Sequence, residues 1–297
     1  MSEALDKYLQ AGKIAARLKD EAPKIVKVGV SLLEVCQRFE ELTIELGARP
    51  AFPVNIGMNE VTAHYTSPSE DPAVIPEGSL VKVDVGAHID GYIADTAMTF
   101  AFSSVHEALV ITAQEALRNA IDAMRPGVKI SEVGAVVEKT MAMLGHKPIR
   151  NLMGHRIERY KLHTGKSIPN VSGLGVGRIQ EGEVYAVEPF STLHDAAGVV
   201  RDASQAFIFR YNKEKRLKSP DATALLEYVR REHRFLPFAS RWLRGDSPIS
   251  SFNLAFTELL ESKCVLPYRV LVEASGQPVA QAEHTVIVEK NGCRIIT

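Results

Sequence analysis

The sequence predicts an α+β fold built from two similar halves, with a mainly helical stretch inserted late in the chain. Three observations carry that prediction. Capped amphipathic helices recur at a fixed interval, β-branched segments with hairpin signals follow them, and residues from about 207 to 267 fit neither pattern. The chain has 297 residues, 45% of them hydrophobic and 24% charged, which is enough to bury one large core or a core and an insertion. Lys and Arg total 35 against 36 Asp and Glu, so the net charge of −1 supplies no overall attraction to nucleic acid or an anionic membrane.

Taken in order, Leu5, Tyr8, Leu9, Gly12, Ala15, Ala16 and Leu18 recur at three-to-four spacing and predict an opening helix that ends near Pro23. Ser31 with Glu34 reads as a capping box. The helix it opens carries a Val35, Phe39, Leu42 and Leu46 stripe and stops at Gly47. A second capping box at Ser104 and Glu107 opens a helix with Leu109, Ala113, Ala116, Leu117, Ala120 and Ile121, and Ser131 opens another that ends at Leu144-Gly145. Laid over each other at an offset of 98, residues 29–50 and 127–148 share eight identities, among them Gly29/Gly127, Glu34/Glu132, Gly47/Gly145 and Pro50/Pro148. Most fall at helix boundaries and turns, which predicts two halves about a pseudo-twofold axis with a cleft between them.

The stretch from Phe207 to Pro267 contains NKEKRLKSPD and a helical segment through Leu225, Leu226, Val229 and Arg230. From Arg210 to Arg244 there are ten Lys or Arg against four Asp or Glu. A solvated basic face is the commoner reason for such a bias, and docking on RNA or a ribosome is the functional one. Cys36, Cys264 and Cys293 lack CxxC spacing, so neither a disulfide framework nor a structural zinc site is implied. The charged N-terminus has no apolar signal region and no long apolar run occurs, so a cytoplasmic protein is expected.

The most informative segment is VKVDVGAHIDGYIADT at 81–96, where β-branched residues flank Asp90-Gly91, a strong hairpin signal. With a two-residue turn there, opposed residues have numbers summing to 181, so Asp84 faces Ala97 and Asp95 faces Gly86. Side chains alternate along a strand, which puts Asp84 and Asp95 on one face as diagonal neighbours roughly 7–8 Å apart at the backbone. Two aspartates facing solvent would be unremarkable, but on a buried face they need a cation. Three further segments bear on the choice. NLMGHRIE places His155 in a loop-like stretch with His163 beyond it, EVYAVEP ends an apolar strand in Glu188, and QAEHTVIV sets Glu283 in a strand before Asn291-Gly292, another hairpin signal.

Together VDVGAHIDGYIADTA, MGHRIERYKLHTG, EVYAVEPF and QAEHTVIV resemble the motif set of the methionine aminopeptidases, of the pita-bread (creatinase/aminopeptidase) fold, over nearly the whole chain. The resemblance implies a catalytic domain of residues 1–206 and 268–297 and an inserted, mainly helical subdomain at 207–267. It implies five metal ligands, Asp84, Asp95, His155, Glu188 and Glu283, for two divalent ions (Co, Mn, Fe or Zn), since such oxygen-rich ligation does not suit a closed zinc site. Asp95 and Glu283 would bridge the ions, Asp84 would hold one, and His155 with Glu188 the other.

The implied reaction is removal of the initiator methionine from nascent polypeptides by a water activated between two metals, with a small second residue preferred. Glu188 would accept the proton of that water, His163 would hydrogen-bond the carbonyl or the intermediate, and His64 would contact the scissile amide nitrogen. Phe52, Gly154, Leu162 and Tyr268 would form the methionine pocket. Proline dipeptidases and aminopeptidase P share the ligand set but typically add an N-terminal domain, whereas the repeat here starts at once. A long insertion between Glu188 and Glu283 marks the type II methionine aminopeptidases, in a compact archaeal-like version. A non-catalytic binding module of the same fold would have no need for clustered carboxylates. The expected partners are nascent N-termini and a transient ribosome contact. No membrane and no specific nucleic acid are expected, and a monomer is.

Overall fold

The computed structural model describes residues 3–246 and 251–297. Residues 247–250, part of the expected insertion, lie outside the described residues. Helix α1 spans Glu3–Ile25 and α2 spans Leu32–Glu45. Ser31 caps α2 as expected: its hydroxyl accepts the Glu34 N–H at 3.0 Å, while Gly47 takes the left-handed conformation beyond the helix. Strands β1 (Leu80–Ile89) and β2 (Tyr92–Ala101) form a long hairpin. Leu18, Val35 and Phe39 of the helices pack with Val81, Val83 and Val85 in one buried cluster. Each such side chain contributes about 1.5–3 kcal/mol, which holds the helices on that face.

Helix α3 (Glu107–Ala123) follows a 3₁₀ turn at Ser104–His106, and the expected capping box there does not form. A capping residue needs an extended backbone, and Ser104 is already wound into the turn. Helix α4 (Ile130–Met143) starts one residue before Ser131, from Lys129, with no side-chain cap. The repeat holds in space. Helices α2 and α4 are offset by 98 residues at both ends. Gly29 donates its N–H to the Ile75 carbonyl at 2.8 Å, and Gly127 likewise to Ile179 at 2.9 Å. All four boundary glycines, Gly29, Gly47, Gly127 and Gly145, have φ between +80° and +90°, a conformation glycine adopts without strain.

Strands β3 (Met153–Ile157), β4 (Val184–Val187), β5 (Val200–Tyr211), β6 (Val265–Glu273) and β7 (His284–Glu289) follow. In the second half β3, β4 and β7 share a five-stranded sheet, where Leu117 and Val133 of α3 and α4 cluster with Tyr185 and Val286. His155 thus lies on a strand, not in a loop, because pairing of β3 with β4 on one edge and Ser167–Pro169 on the other satisfies its backbone. The hairpin from β7 to Gly292–Ile295 turns on Lys290-Asn291, one residue earlier than Asn291-Gly292, with Glu289 opposite Gly292.

Between β5 and β6 lie α5 (Pro220–Glu232), α6 (Ser240–Asp246) and α7 (Phe252–Glu261), with a core of their own that includes Leu225, Val229, Phe238 and Leu259. The boundaries expected at 207 and 268 fall inside β5 and β6, which pair with each other along most of their length, while β6 also pairs with Val61–Ala63.

Candidate metal centre

The turn at the hairpin tip has Asp90 at φ +50° and Gly91 at +85°, the left-handed pair that a two-residue hairpin turn requires. This fixes the register at Asp84 opposite Ala97 and Gly86 opposite Asp95, with both aspartates on the face away from the valines. At Gly86 an added Cβ would lie 2.2 Å from the Phe52 ring, so the missing side chain is what lets Phe52 lie beside the aspartates.

The second half is tied to this face by hydroxyls. The Asp95 N–H donates to Thr285 Oγ1 at 2.7 Å, that hydroxyl donates to the Asp95 carbonyl at 2.8 Å, and Thr96 Oγ1 donates to the Glu283 carbonyl at 2.8 Å. Glu283, just before β7 and outside any strand, is thereby set beside Asp95. His155 comes from β3, paired with Ala186, and Glu188 follows the end of β4 next to Pro189.

All five groups line one cavity of about 270 Å³. His155 Nε2 is 3.6 Å from both Asp95 Oδ2 and Glu188 Oε1. Ligating atoms of Asp95, His155 and Glu283 lie within 4.8 Å of one another. Burial pushes the carboxyls up, Asp84 to about 7 and Asp95, Glu188 and Glu283 well above the usual range, with the neighbouring carboxylates adding to it in those last three. His155 is held well below its ordinary value by burial, then by His163. Oδ1 of Asp84 and of Asp95 are buried without a hydrogen-bond partner. Four carboxyls and a neutral imidazole, with orphaned oxygens turned into a common cavity, fit a divalent cation. Without one, ionising them together costs several kcal/mol per charge.

His64 and His163 reach the same cavity. His64 is held at φ +63°, an uncommon conformation for a non-glycine residue. Its Nδ1 is 3.2 Å from the Arg269 carbonyl, so Nδ1 carries the proton and Nε2 is left as an acceptor. Burial brings His163 down to about 4, with His64 adding to the shift, and its ring centroid is 4.2 Å from that of His155. Phe52, Leu162 and Tyr268 line the cavity. Gly154 does not. An added Cβ there would meet the Ala186 carbonyl at 2.4 Å, so its role is close packing of β3 on β4.

Several walls escaped the sequence reading: Asn55, Met153, Phe190, Ile208, Pro237 and Gln281. Gln281 could have been found from strand periodicity, two residues before Glu283. Its amide donates toward Glu188 Oε2 at 3.3 Å and Glu283 Oε2 at 3.4 Å. Nothing in the sequence marks Ile208 or Pro237, which arrive from within the stretch expected as the insertion.

Comparison with known proteins bears on this geometry. The family model of metallopeptidase family M24 matches residues 6–236. A methionine aminopeptidase of Methanothermobacter thermautotrophicus is 45% identical over 300 positions, covering 100% of both chains. Among solved structures, a thermophilic Arx1 superposes with a TM-score of 0.86 at 19% identity, covering 100% of this chain and 91% of that one. A methionine aminopeptidase of Thermotoga maritima does so at 0.72 and 23%, covering 100% and 97%. At those identities the superpositions establish the pita-bread fold. The chain belongs to metallopeptidase family M24, and within it to the methionine aminopeptidases.

Proposed function

We propose that the chain is a type II methionine aminopeptidase that clips the initiator methionine from nascent polypeptides in the cytoplasm. The observation that carries this reading is the convergence of Asp84, Asp95, His155, Glu188 and Glu283 on one buried cavity in a chain 45% identical, end to end, to an archaeal methionine aminopeptidase. The five would hold two divalent ions, Co, Mn, Fe or Zn. Such ions acidify water and stabilise negative charge on a carbonyl oxygen.

The residues of the chain would do the rest. Glu188 accepts a proton at the water's position, and His163, neutral and with one N–H to give, donates to the substrate carbonyl oxygen. His64 Nε2 accepts the N–H of the scissile amide. Phe52, Leu162 and Tyr268 take the methionine side chain, and the limited cavity favours a small second residue. The stretch expected at 207–267, whose ends lie inside β5 and β6, is read as an inserted subdomain on a catalytic domain of residues 1–206 and 268–297. Its cationic excess supports a brief contact with the ribosome by a monomeric enzyme.

The test is release of methionine from Met-Ala-Ser beside an Xaa-Pro dipeptide, with metal-stripped protein and with Co or Mn restored, for wild type and Asp95→Ala. Metal-dependent release that the variant loses is the expected result. Cleavage of Xaa-Pro alone moves the chain to the proline dipeptidases, and no hydrolysis with any metal rejects the reading.

A further inference from the structure

A second cavity, about 610 Å³, opens between α2 and α5 and adjoins a smaller one of about 270 Å³; Arg49, His88 and Glu232 line both. None of the five carboxylate and imidazole groups of the metal centre lines either. The smaller compartment is rich in guanidinium. Arg49, Arg231 and Arg234 line it, and Tyr160 on its wall carries Arg234 at 4.1 Å and Arg159 at 5.5 Å over its ring.

Two carboxylates, Glu232 and Asp90, face the three lining arginines in the smaller compartment; Glu40 and Glu41 line the larger one, where Glu40 is taken by Arg241 and Glu41 by Arg38. Glu232 is shared by Arg231 at 2.8 Å and Arg49 at 3.4 Å, while Asp90 is held by Lys7 at 2.6 Å. Arginines at the end of α5 are by themselves ordinary, since they offset the helix dipole. His88 is not ordinary. It is only 7% exposed, burial and then Arg49 keep it neutral with a pKa of about 4, and its Nδ1 accepts the Gly91 N–H at 3.0 Å. The ring proton therefore sits on Nε2, which has no partner among the described residues. Nε2 of His233 is buried without a partner. The larger compartment is walled by Tyr228 and Trp242, with His233 stacked on Trp242 at 5.8 Å.

We propose that these adjoining cavities bind a nucleotide, with its phosphate against Arg49, Arg234 and the Nε2–H of His88 and its base along the Trp242 wall. Planar guanidinium groups and a neutral N–H donor suit phosphate oxygens, and the aromatic compartment suits a base. The phosphate can belong to a free nucleotide or to a strand of RNA, and the site chemistry is the same.

Trp242 is the one tryptophan of the chain, so its fluorescence reads the cavity directly. The probes are inorganic phosphate, adenosine, AMP and a short single-stranded oligoadenylate at fixed ionic strength, with equilibrium dialysis as a second readout. AMP is expected to bind saturably and adenosine about tenfold more weakly. Arg49→Ala and Arg234→Ala, both at exposed positions, should each weaken AMP about tenfold and leave peptide hydrolysis unchanged. Tighter binding of AMP than of the oligonucleotide assigns the free nucleotide as the source, and the reverse assigns the strand. No saturable binding of any phosphate-bearing probe by either readout, or binding undiminished in both arginine variants, overturns the proposal.

Discussion

One hydroxyl joins Asp95 to Thr285 across 190 residues: Thr285 Oγ1 takes the Asp95 N–H at 2.7 Å and gives its own proton to the Asp95 carbonyl at 2.8 Å. Thr285 is fully buried, so Thr285→Val leaves two backbone groups unsatisfied and should cost about 1–3 kcal/mol each way the pair is broken. Thr285→Ser should keep most of the stability. Urea unfolding of the three proteins, with metal affinity measured alongside, checks this; equal stability of the Val and Ser variants would sink it.

In metal-stripped protein, Asp95→Asn should raise stability, by roughly 1–2 kcal/mol, because it removes one of four crowded buried carboxyls. With metal added the order reverses. Wild type gains roughly 2.7 kcal/mol at a hundredfold excess over Kd, and the variant gains less. Thermal unfolding with and without Mn reads both arms, and an equal metal response in the two proteins contradicts the assignment of Asp95 as a ligand.

His64→Ala and His163→Ala should each lower kcat about 10²–10³-fold while metal content stays at the wild-type level, since neither histidine is placed among the donors. Metal analysis beside steady-state kinetics separates the two effects. Loss of metal in either variant would make that histidine a ligand.

Glu40 is a buried carboxylate that accepts Trp242 Nε1–H at 2.8 Å and the Val54 N–H at 3.2 Å and pairs with Arg241, whose guanidinium also donates to Thr66 Oγ1 at 2.7 Å. The pair clamps α6 to α2 and to the loop after His64. Arg241→Ala should cost about 3–5 kcal/mol by stranding Glu40, and the double variant with Glu40→Ala less than the two single losses together. Denaturant titrations followed at Trp242 test it, and simple additivity would mean the two do not act as a pair.

His88 has a pKa of about 4 in the folded chain against an ordinary 6.5, from burial and then from the charges of Arg49 and Arg234, with Asp90 opposing. As pH falls the unfolded chain takes up the proton first. Its share of stability is complete above about 6.5, declines from 6.5 to 4 by on the order of 3 kcal/mol, and is flat below. His88→Gln should flatten that part of the stability-pH curve, and an unchanged slope would place the loss elsewhere.

The hairpin was the most legible part of the sequence, because an Asp-Gly turn fixes register and register fixes which face each aspartate shares. The 98-residue repeat was legible for the same reason: left-handed glycines mark where helices α2 and α4 begin and end. Ser104 and Ser131 misled, since a serine before an apolar stripe signals a cap only when its backbone is extended, and tertiary packing wound both into a helical turn. Of the metal centre, the residues alone spoke only for the Asp84 and Asp95 pair; His155, Glu188 and Glu283 drew their meaning from the family resemblance. Ile208, Pro237 and the Thr285 tie were invisible because each acts through contacts between segments far apart in the chain, which local pattern does not encode.

The pseudo-twofold repeat is symmetric in its helices and asymmetric in its donors. The first half supplies two aspartates, the second a histidine and two glutamates, and Glu283 comes after everything else in the site. On the proposed ligand assignment, a chain still under synthesis lacks one donor until that glutamate is made and docked against Asp95, so the full set of donors exists only once the two ends of the chain have met.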